Sequence, residues 1–317
     1  MSRILLAPME GMVDAEMRDV LTRASAYDWC VTEFARISAT VPPARFFTRI
    51  APELHAGART PAGVPVHVQL LGSDPVRLGA SAARLAGLAP AGIDLNFGCP
   101  APMVNRHRGG SALLEEPRLL ESIARAVATG IAGRVPLSAK MRLGIGDTSP
   151  AIEAAQALAA GGAQLLVVHA RTKADGYRPP AHWPWIARIA QAVSVPVVGN
   201  GEIWSVADYQ RCQAEGGARD VMLGRGAVAD PFLPARIRGE CAPSPDAQDW
   251  LRLLPLLGDY WRGVSAKVEP RHAPGRIKQW LNLLRRQYAD AETLYQAVRP
   301  LRDSVAVGRV LADAGAR

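Results

Sequence analysis

Short apolar runs rich in β-branched residues recur along the first three quarters of the chain. They are ILLAPM (4–9), WCVTEF (29–34), VPVHVQLL (64–71), GIDLNFG (92–98), PLSAKMRLG (136–144), LLVVHAR (165–171), VPVVGNGE (195–202) and DVMLGRGA (220–227). Bounded by Gly, Pro and Asp, and too short for typical helices, they predict eight strands. Between them lie alanine-rich segments of helical period, such as DPVRLGASAARLAG and SPAIEAAQALAAGG. Each opens on a capping residue with proline at the first helical position, and each ends in glycine. Strand and helix in alternation mean a parallel sheet, and eight repeats close it into an α/β fold of the (β/α)8 TIM barrel type. An open, doubly wound sheet is the alternative.

After ADPFLPARIRGECAPSPDAQD the pattern changes. WLRLLPLLGDYWRGV, GRIKQWLNLLRRQYADAETLYQAVRP and DSVAVGRVLADAGA are helical in period and contain no strand-like run. A boundary near residue 242 is expected, with a barrel over 1–241 and a small C-terminal helical domain over 242–317. Trp280, Leu281 and Leu284 make an apolar stripe that reads as core rather than as a stacking platform for RNA.

Composition narrows the class. The 317 residues are 49% hydrophobic and 21% charged, within the globular range. No segment approaches the roughly 20 apolar residues of a membrane span, and the first apolar run is too short for a signal peptide, being broken by Pro8 and Glu10. Cys30, Cys99, Cys212 and Cys241 lie far apart without a C-x-x-C pair, so neither a disulfide framework nor a metal site is expected, and a cytoplasmic setting fits. The net charge of +8 arises from 33 arginines and 4 lysines against 29 acids. Such a balance suits a polyanionic partner, although a GC-rich coding sequence would inflate arginine as well. Residues 245–317 hold 12 basic and 8 acidic side chains, so the tail contributes +4.

In a barrel, function gathers at the carboxyl ends of the strands. Read in order, the ends present Pro8, Met9 and Glu10; Glu33 and Arg36; Gln69; Asn96 and Cys99; Lys140 and Arg142; His169, Arg171 and Lys173; Asn200, Gly201 and Glu202; Gly224, Arg225 and Gly226. GNGEIWS and GRGAVADP put glycines, backbone N–H groups and an arginine where barrels hold a phosphate, although tight turns alone would use the same residues. Lys140 sits inside an apolar strand, where a lone charge is too costly. It calls for an anion or an electron-rich cofactor, or else a structural partner such as Glu33 or Asp94. His169 reads as a core histidine or as a phosphate or substrate contact. Cys99 falls in a Gly-Cys-Pro turn at the catalytic rim, whereas Cys30 and Cys212 fall in a strand and a helix and are expected to be inert. Nucleophile and proton donor both remain open for it.

The stretches LLAPMEGM, YDWCVTEFAR, VQLLG, GIDLNFGCP, GGSALLEEP, SAKMRLG, VVHARTKADGYR, VVGNGEIW, VMLGRGA and RIKQWLNLLR, in this order over nearly the whole chain, resemble the tRNA-dihydrouridine synthases, most of all the DusC subfamily. The resemblance implies an FMN enzyme that uses NADPH as transient reductant to reduce the C5–C6 bond of a tRNA uridine, U16 of the D-loop. Hydride would reach C6 from reduced FMN, and Cys99 would be the general acid that protonates C5. It also implies FMN contacts from Pro8, Met9, Glu10, Gln69, Lys140, Asn200, Gly201, Glu202, Gly224 and Arg225, with His169 at cofactor or substrate. Asn96, Arg142 and Tyr177 would meet the extruded uridine and its flanking phosphates, and Arg36, Arg276 and Lys278 would grip the tRNA. The sequence departs from the family pattern at NRHRGGSALL, where Arg106, His107 and Arg108 could add phosphate contacts, and at Ala170 and Gly199. Two other functions share some of these residues: an FMN barrel acting on a small pyrimidine, and a catalytically silent tRNA-binding protein. A monomer is assumed.

Overall fold

The computed structural model describes residues 2–101, 104 and 109–316. Its strands are β1 (Ile4–Leu6), β2 (Trp29–Val31), β3 (Ala35–Arg36), β4 (Val66–Leu71), β5 (Gly92–Phe97), β6 (Leu137–Arg142), β7 (Leu165–His169), β8 (Val197–Asn200) and β9 (Val221–Leu223). Every pairing among them is parallel, and β1 pairs with both β2 and β9, in the second case through Ile4–Val221 and Leu6–Leu223. That contact closes the sheet and excludes the open alternative. Because β2 and β3 both pair with β4, they are two pieces of one barrel strand, interrupted at residues 32–34. The barrel therefore has eight strands, a TIM barrel with flanking helices.

Side chains alternate across the strands as the pleat requires. Ile93, Leu95 and Phe97 of β5 and Leu137, Ala139 and Met141 of β6 pack outward in the layer shared with the helices. Inside, Leu5, Ala7, Val31, Leu165, Val167, Val198 and Met222 fill one half of the barrel. Gln69, Asp94, Asn96, Ser138 and Lys140, buried on the facing strands β4, β5 and β6, make the other half polar. Toward the amino ends of the strands, His67 stacks on Trp29 at 5.1 Å and an interplanar angle of 10°, and burial pushes its pKa down to about 4. Gly92 permits this stack, since a Cβ there would strike the imidazole. A neutral ring pair thus plugs the bottom and leaves the top for chemistry.

The strands stop up to four residues before the apolar runs do, because the polar ends of those runs belong to the loops at the carboxyl ends of the strands. Helix starts follow their caps in part. Asp74 accepts from the Arg77 N–H at 3.0 Å with Pro75 in the first turn, as expected. In the second segment Ser149 instead bonds the Asp147 carboxylate, and Pro150 occupies the cap position without a side-chain bond. Gly87 and Gly161 are not left-handed, with φ angles of −67° and −74°, but Gly162, the last residue of the second segment, is at φ +107° and ends its helix by donating to the Ala159 carbonyl at 3.0 Å. Gly161 is there for space, since a Cβ would come within 2.5 Å of the Ala124 methyl and 2.7 Å of the Glu121 carbonyl on the neighbouring helix Pro117–Ile131.

Beyond the helix Leu233–Arg238 the chain crosses into the helices Ala247–Lys267, Ala273–Leu284, Ala289–Val298 and Ser304–Asp313. Asp246 and Asp249 form a reciprocal capping box at the start of the first. That helix packs on the barrel helix Ala15–Ala24, and Trp280, fully buried, donates its indole N–H to the Val228 carbonyl at 3.1 Å. Leu281 and Leu284 are buried beside it, so the stripe is core. Burying an aromatic ring of this size stabilises the docking by about 2–3 kcal/mol. Among the described residues no helix is long and apolar enough to cross a membrane, and no group of His, Cys, Asp and Glu could hold a metal ion.

Candidate active site

A cavity of about 560 Å³ opens at the carboxyl ends of the strands. Pro8, Met9, Glu10, Gln69, Asn96, Cys99, Lys140, Arg142, His169, Tyr177, Asn200, Gly201, Glu202, Gly224 and Arg225 all line it. Alternation explains the convergence: Gln69, Asn96, Lys140, Arg142, His169 and Asn200 are inward positions at the tops of β4 to β8, and Arg142, His169 and Asn200 are register partners across three strands. The interruption of the second barrel strand adds Glu33 and Phe34 to the wall, and the backbone N–H of Gly11 donates to the Glu33 carboxylate. Arg36, Arg276 and Lys278 lie outside this wall. Arg276 reaches from the tail to the Asp14 carboxylate and the Gly11 carbonyl, and Lys278 donates to the Leu301 carbonyl. Arg106, His107 and Arg108 lie outside the described residues.

Lys140 is one of three buried basic side chains in the wall, with Arg142 and Arg171. Its ammonium donates to Asn200 Oδ1 at 2.9 Å, and Asn200 in turn donates to the Met222 carbonyl at 2.7 Å. Among the described residues it makes no salt bridge, so the structural pairing with Glu33 or Asp94 does not form. Burial, then the Arg142 charge, pull its pKa from 10.5 to about 7, against the upward pull of Asp94. Between those two values the unfolded chain holds a proton that the folded one lacks, so Lys140 makes the ligand-free protein gain stability as pH rises from about 7 towards 10.5. Urea midpoints across this window should show that rise flattened in Lys140→Met; an identical slope in both proteins would refute the assignment.

His169 is neutral, because burial and then the charges of Lys140, Arg142, Arg171 and Arg225 depress its pKa well below 6.5. Gly201, at φ +116°, passes so close to its ring that a Cβ would lie 2.9 Å from Cδ2. Only glycine fits there, and the turn continues into Glu202 at φ +59°. Glu202 is held by Arg171 and by the Trp204 indole N–H at 3.1 Å.

Cys99 follows β5 in a loop fixed by Asn96, whose Oδ1 accepts from the Gly98 and Cys99 N–H groups at 3.0 and 2.9 Å. Ser111 bonds the Cys99 carbonyl through both its N–H (3.1 Å) and its hydroxyl (3.0 Å). The glycine pair of the sequence has its reason here. At Gly110, φ is +62° and a Cβ would lie 2.7 Å from the Cys99 carbonyl oxygen. Burial raises the Cys99 pKa above its usual 9.0, with Glu10 adding to it and the Ala101 N–H opposing it. Cys30 and Cys212 are buried at 0% exposure and pushed up to about 12. Neither lines the cavity.

Arg142 braces the rim. It donates to the Gly98 carbonyl (2.9 Å) and to the carbonyls of Thr172 and Gly176 (both 2.8 Å), and its guanidinium lies 5.2 Å from the Tyr177 ring. Tyr177 starts a ladder: Arg225 sits 4.9 Å from its ring and 5.1 Å from Trp204, while Arg286 of the tail lies 4.6 Å from Trp204. Alternating guanidinium and aromatic planes connect the cavity mouth to the helical tail. Sequence reading missed Phe34, Trp204 and Arg286. Trp204 stands in the quoted GNGEIWS turn, but its partner is 82 residues away and nothing in the spacing announces it.

The family model for dihydrouridine synthases (Dus) matches residues 5–302. The chain belongs to this family. A tRNA-dihydrouridine(16) synthase of Ralstonia nicotianae is 53% identical over 100% of this chain and 97% of its own length. Proteins of the same description from Pseudomonas putida (52%; 98% of this chain, 96% of that one) and Neisseria meningitidis serogroup A (43%; 98% and 94%) are similar throughout. Among solved structures, histamine dehydrogenase from Rhizobium sp. 4-9 superposes with a TM-score of 0.57 at 16% identity, over 82% of this chain and 48% of that one. A 2-naphthoyl-CoA reductase gives 0.56 at 14% identity, over 75% and 50%. These last two share the barrel fold with the synthase. A dihydrouridine synthase is a flavin-dependent oxidoreductase, and in this one the protonated thiol, the buried lysine and the glycine-lined turn share a single cavity.

Proposed function

We propose that the chain reduces uridine 16 of the tRNA D-loop to 5,6-dihydrouridine, with FMN in the barrel mouth and NADPH as the passing reductant. Reduction of uridine in tRNA is the activity of its family, and the curated relatives described as acting at position 16 match it end to end. The observation that carries the reading is Cys99: a thiol held protonated by burial, at the rim of a cavity that Lys140, on the neighbouring strand β6, also lines.

The residues fit a flavin. Lys140 has three donors and one protein acceptor among the described residues, so it can serve an electron-rich ring edge. Gly201 and Gly226 bring the backbone close: a Cβ at Gly226 would collide with the Ile203 carbonyl, so this turn and the loop after β8 are in contact. Asn200, Gly201, Glu202, Gly224 and Arg225 would hold the phosphate and its linker, with Gln69, His169, Pro8, Met9 and Glu10 around the ring. Bound there, FMN supplies a hydride for the electron-poor C6 of uracil, replenished from NADPH. Cys99 holds the proton that C5 takes up. Lys140 balances negative charge at the ring edge, and its lowered pKa means that an anionic partner recharges it. Asn96 and Arg142 shape the rim that receives the base, and Tyr177, 54% exposed, is the side chain at which an extruded nucleotide would first arrive.

Residues 242–317 would form the tRNA-binding domain, with Arg36, Arg276 and Lys278 against phosphates, and the enzyme would work in the cytoplasm. Mass-spectrometric mapping of tRNA from cells lacking this protein tests the position: loss of dihydrouridine at 16 is expected, and an unchanged signal there would refute it. Replacing Arg276 and Lys278 by alanine should weaken tRNA binding and lower the log–log salt slope by about 0.7–0.9 per lost phosphate contact. A slope equal to that of the parent would remove both from the interface, leaving Arg276 its bond to Asp14.

A further inference from the structure

We infer that Asp94 is a positioning residue for Cys99, acting through a hydrogen-bond relay that runs inside the barrel from Asp94 to Gln69 to Asn96 to the Cys99 loop. Its catalytic meaning rests on the reading of Cys99 as proton donor; its geometry does not. Asp94 is fully buried and accepts from Ser138 Oγ and Gln69 Nε2, both at 2.6 Å. Asn96 Nδ2 donates to Gln69 Oε1 at 2.7 Å, and Asn96 Oδ1 accepts from the N–H groups of Gly98 and Cys99. Gln69, Asp94 and Ser138 are register partners on β4, β5 and β6, so the fold itself lines up the first links.

The direction of this relay is determined. Gly98 and Cys99 offer backbone N–H groups, which can only donate, so Asn96 must turn its oxygen to them and its amide nitrogen inward. Gln69 must then present oxygen to Asn96 and nitrogen to residue 94, which has to be an acceptor. Ionised aspartate is acceptor-only and cannot be read the other way round. Either amide, flipped, would set N–H against N–H and release the loop on which the thiol rides. Burial raises the Asp94 pKa to about 6, while the bonds from Gln69 and Ser138 and the Lys140 charge oppose that rise, which leaves the group ionised at neutral pH.

Hydrogen–deuterium exchange on the full-length protein, read on the peptide containing Gly98 and Cys99, tests the relay without reference to any activity. In Asp94→Leu, which removes the acceptor, protection of these amides should fall about tenfold or more, with protection in the helix Ala247–Lys267 unchanged. Asp94→Asn, which still offers Gln69 an oxygen, should keep protection within a few-fold of the parent. Gln69→Met cuts the next link and should reproduce the leucine result, so it stands in if the leucine variant fails to fold. In the holoenzyme, kcat for uridine reduction should fall with Asp94→Leu and be rescued in Asp94→Asn, the KM for tRNA being unchanged in both. Parent-like protection at Gly98 and Cys99 in a folded Asp94→Leu or Gln69→Met protein would overturn the relay. Lost protection with an unchanged kcat would leave the relay standing and sink the role of Cys99 instead.

Discussion

Replacing Cys99 with alanine is expected to slow dihydrouridine formation by a factor of about 10²–10⁴, the usual contribution of a positioned proton donor, or about 3–5 kcal/mol of barrier. Flavin binding and reduction by NADPH should persist, because the variant touches neither Lys140 nor the loops at Gly201 and Gly224. The sign of the pKa shift distinguishes the two chemistries that the sequence left open. A nucleophile needs thiolate, and sites that use one lower the pKa with a cation or a helix terminus. Here burial and Glu10 raise it, which keeps the proton on sulfur at neutral pH, as a proton donor requires. Single-turnover measurements with unmodified tRNA separate the steps. Full activity in Cys99→Ala would end the assignment, whereas Cys30→Ala, buried on the strand β2, should leave the rate of uridine reduction untouched.

The barrel was legible because its two periodicities are physical necessities: an apolar run that stops at glycine or proline, then an amphipathic helix, repeated until the sheet closes. Most of the wall of the site was legible for the same reason, since most of the polar residues at the strand ends turn into the cavity, Arg36 and Lys173 being exceptions. What could not be read are relations between distant segments. Glu33 was visible as a strand end, but its place and that of Phe34 in the wall depend on the interruption of the second barrel strand. The residues named for substrate contact carry a second role that no spacing reveals: Arg142 spends three donors on carbonyls of two loops, and Asn96 is committed to Gln69 and to the Cys99 turn. Of the two glycines after helix Ala151–Ala160, Gly162 is the terminator the pattern suggests, whereas Gly161 is a contact point between helices. In each case one residue type answers to two demands, and the sequence shows only its identity.

Arg236→Met is expected to destabilise the protein by about 3–5 kcal/mol, the range for removing one member of a buried ionic cluster. Arg236 is 3% exposed and bonds Asp230 Oδ2 at 2.7 Å and the Asp249 carboxylate, and it donates to the carbonyls of Ala242 (2.7 Å) and Ser244 (3.0 Å). Asp230 Oδ1 accepts from the Tyr288 hydroxyl at 2.8 Å, so one guanidinium joins the last barrel helices, the bridge at residues 242–244 and two helices of the tail. Methionine matches the stem but leaves two buried carboxylates facing each other. Restoring neutrality should recover part of the loss, so Arg236→Met with Asp249→Asn should be more stable than Arg236→Met alone, as urea midpoints would show. Function should follow the junction: with the tail held less firmly, tRNA affinity should fall while flavin content stays at the parent level. A loss of stability below about 1 kcal/mol would mean that water or relaxation replaces the guanidinium at little cost, and the tail would then be held mainly by the apolar docking of Trp280.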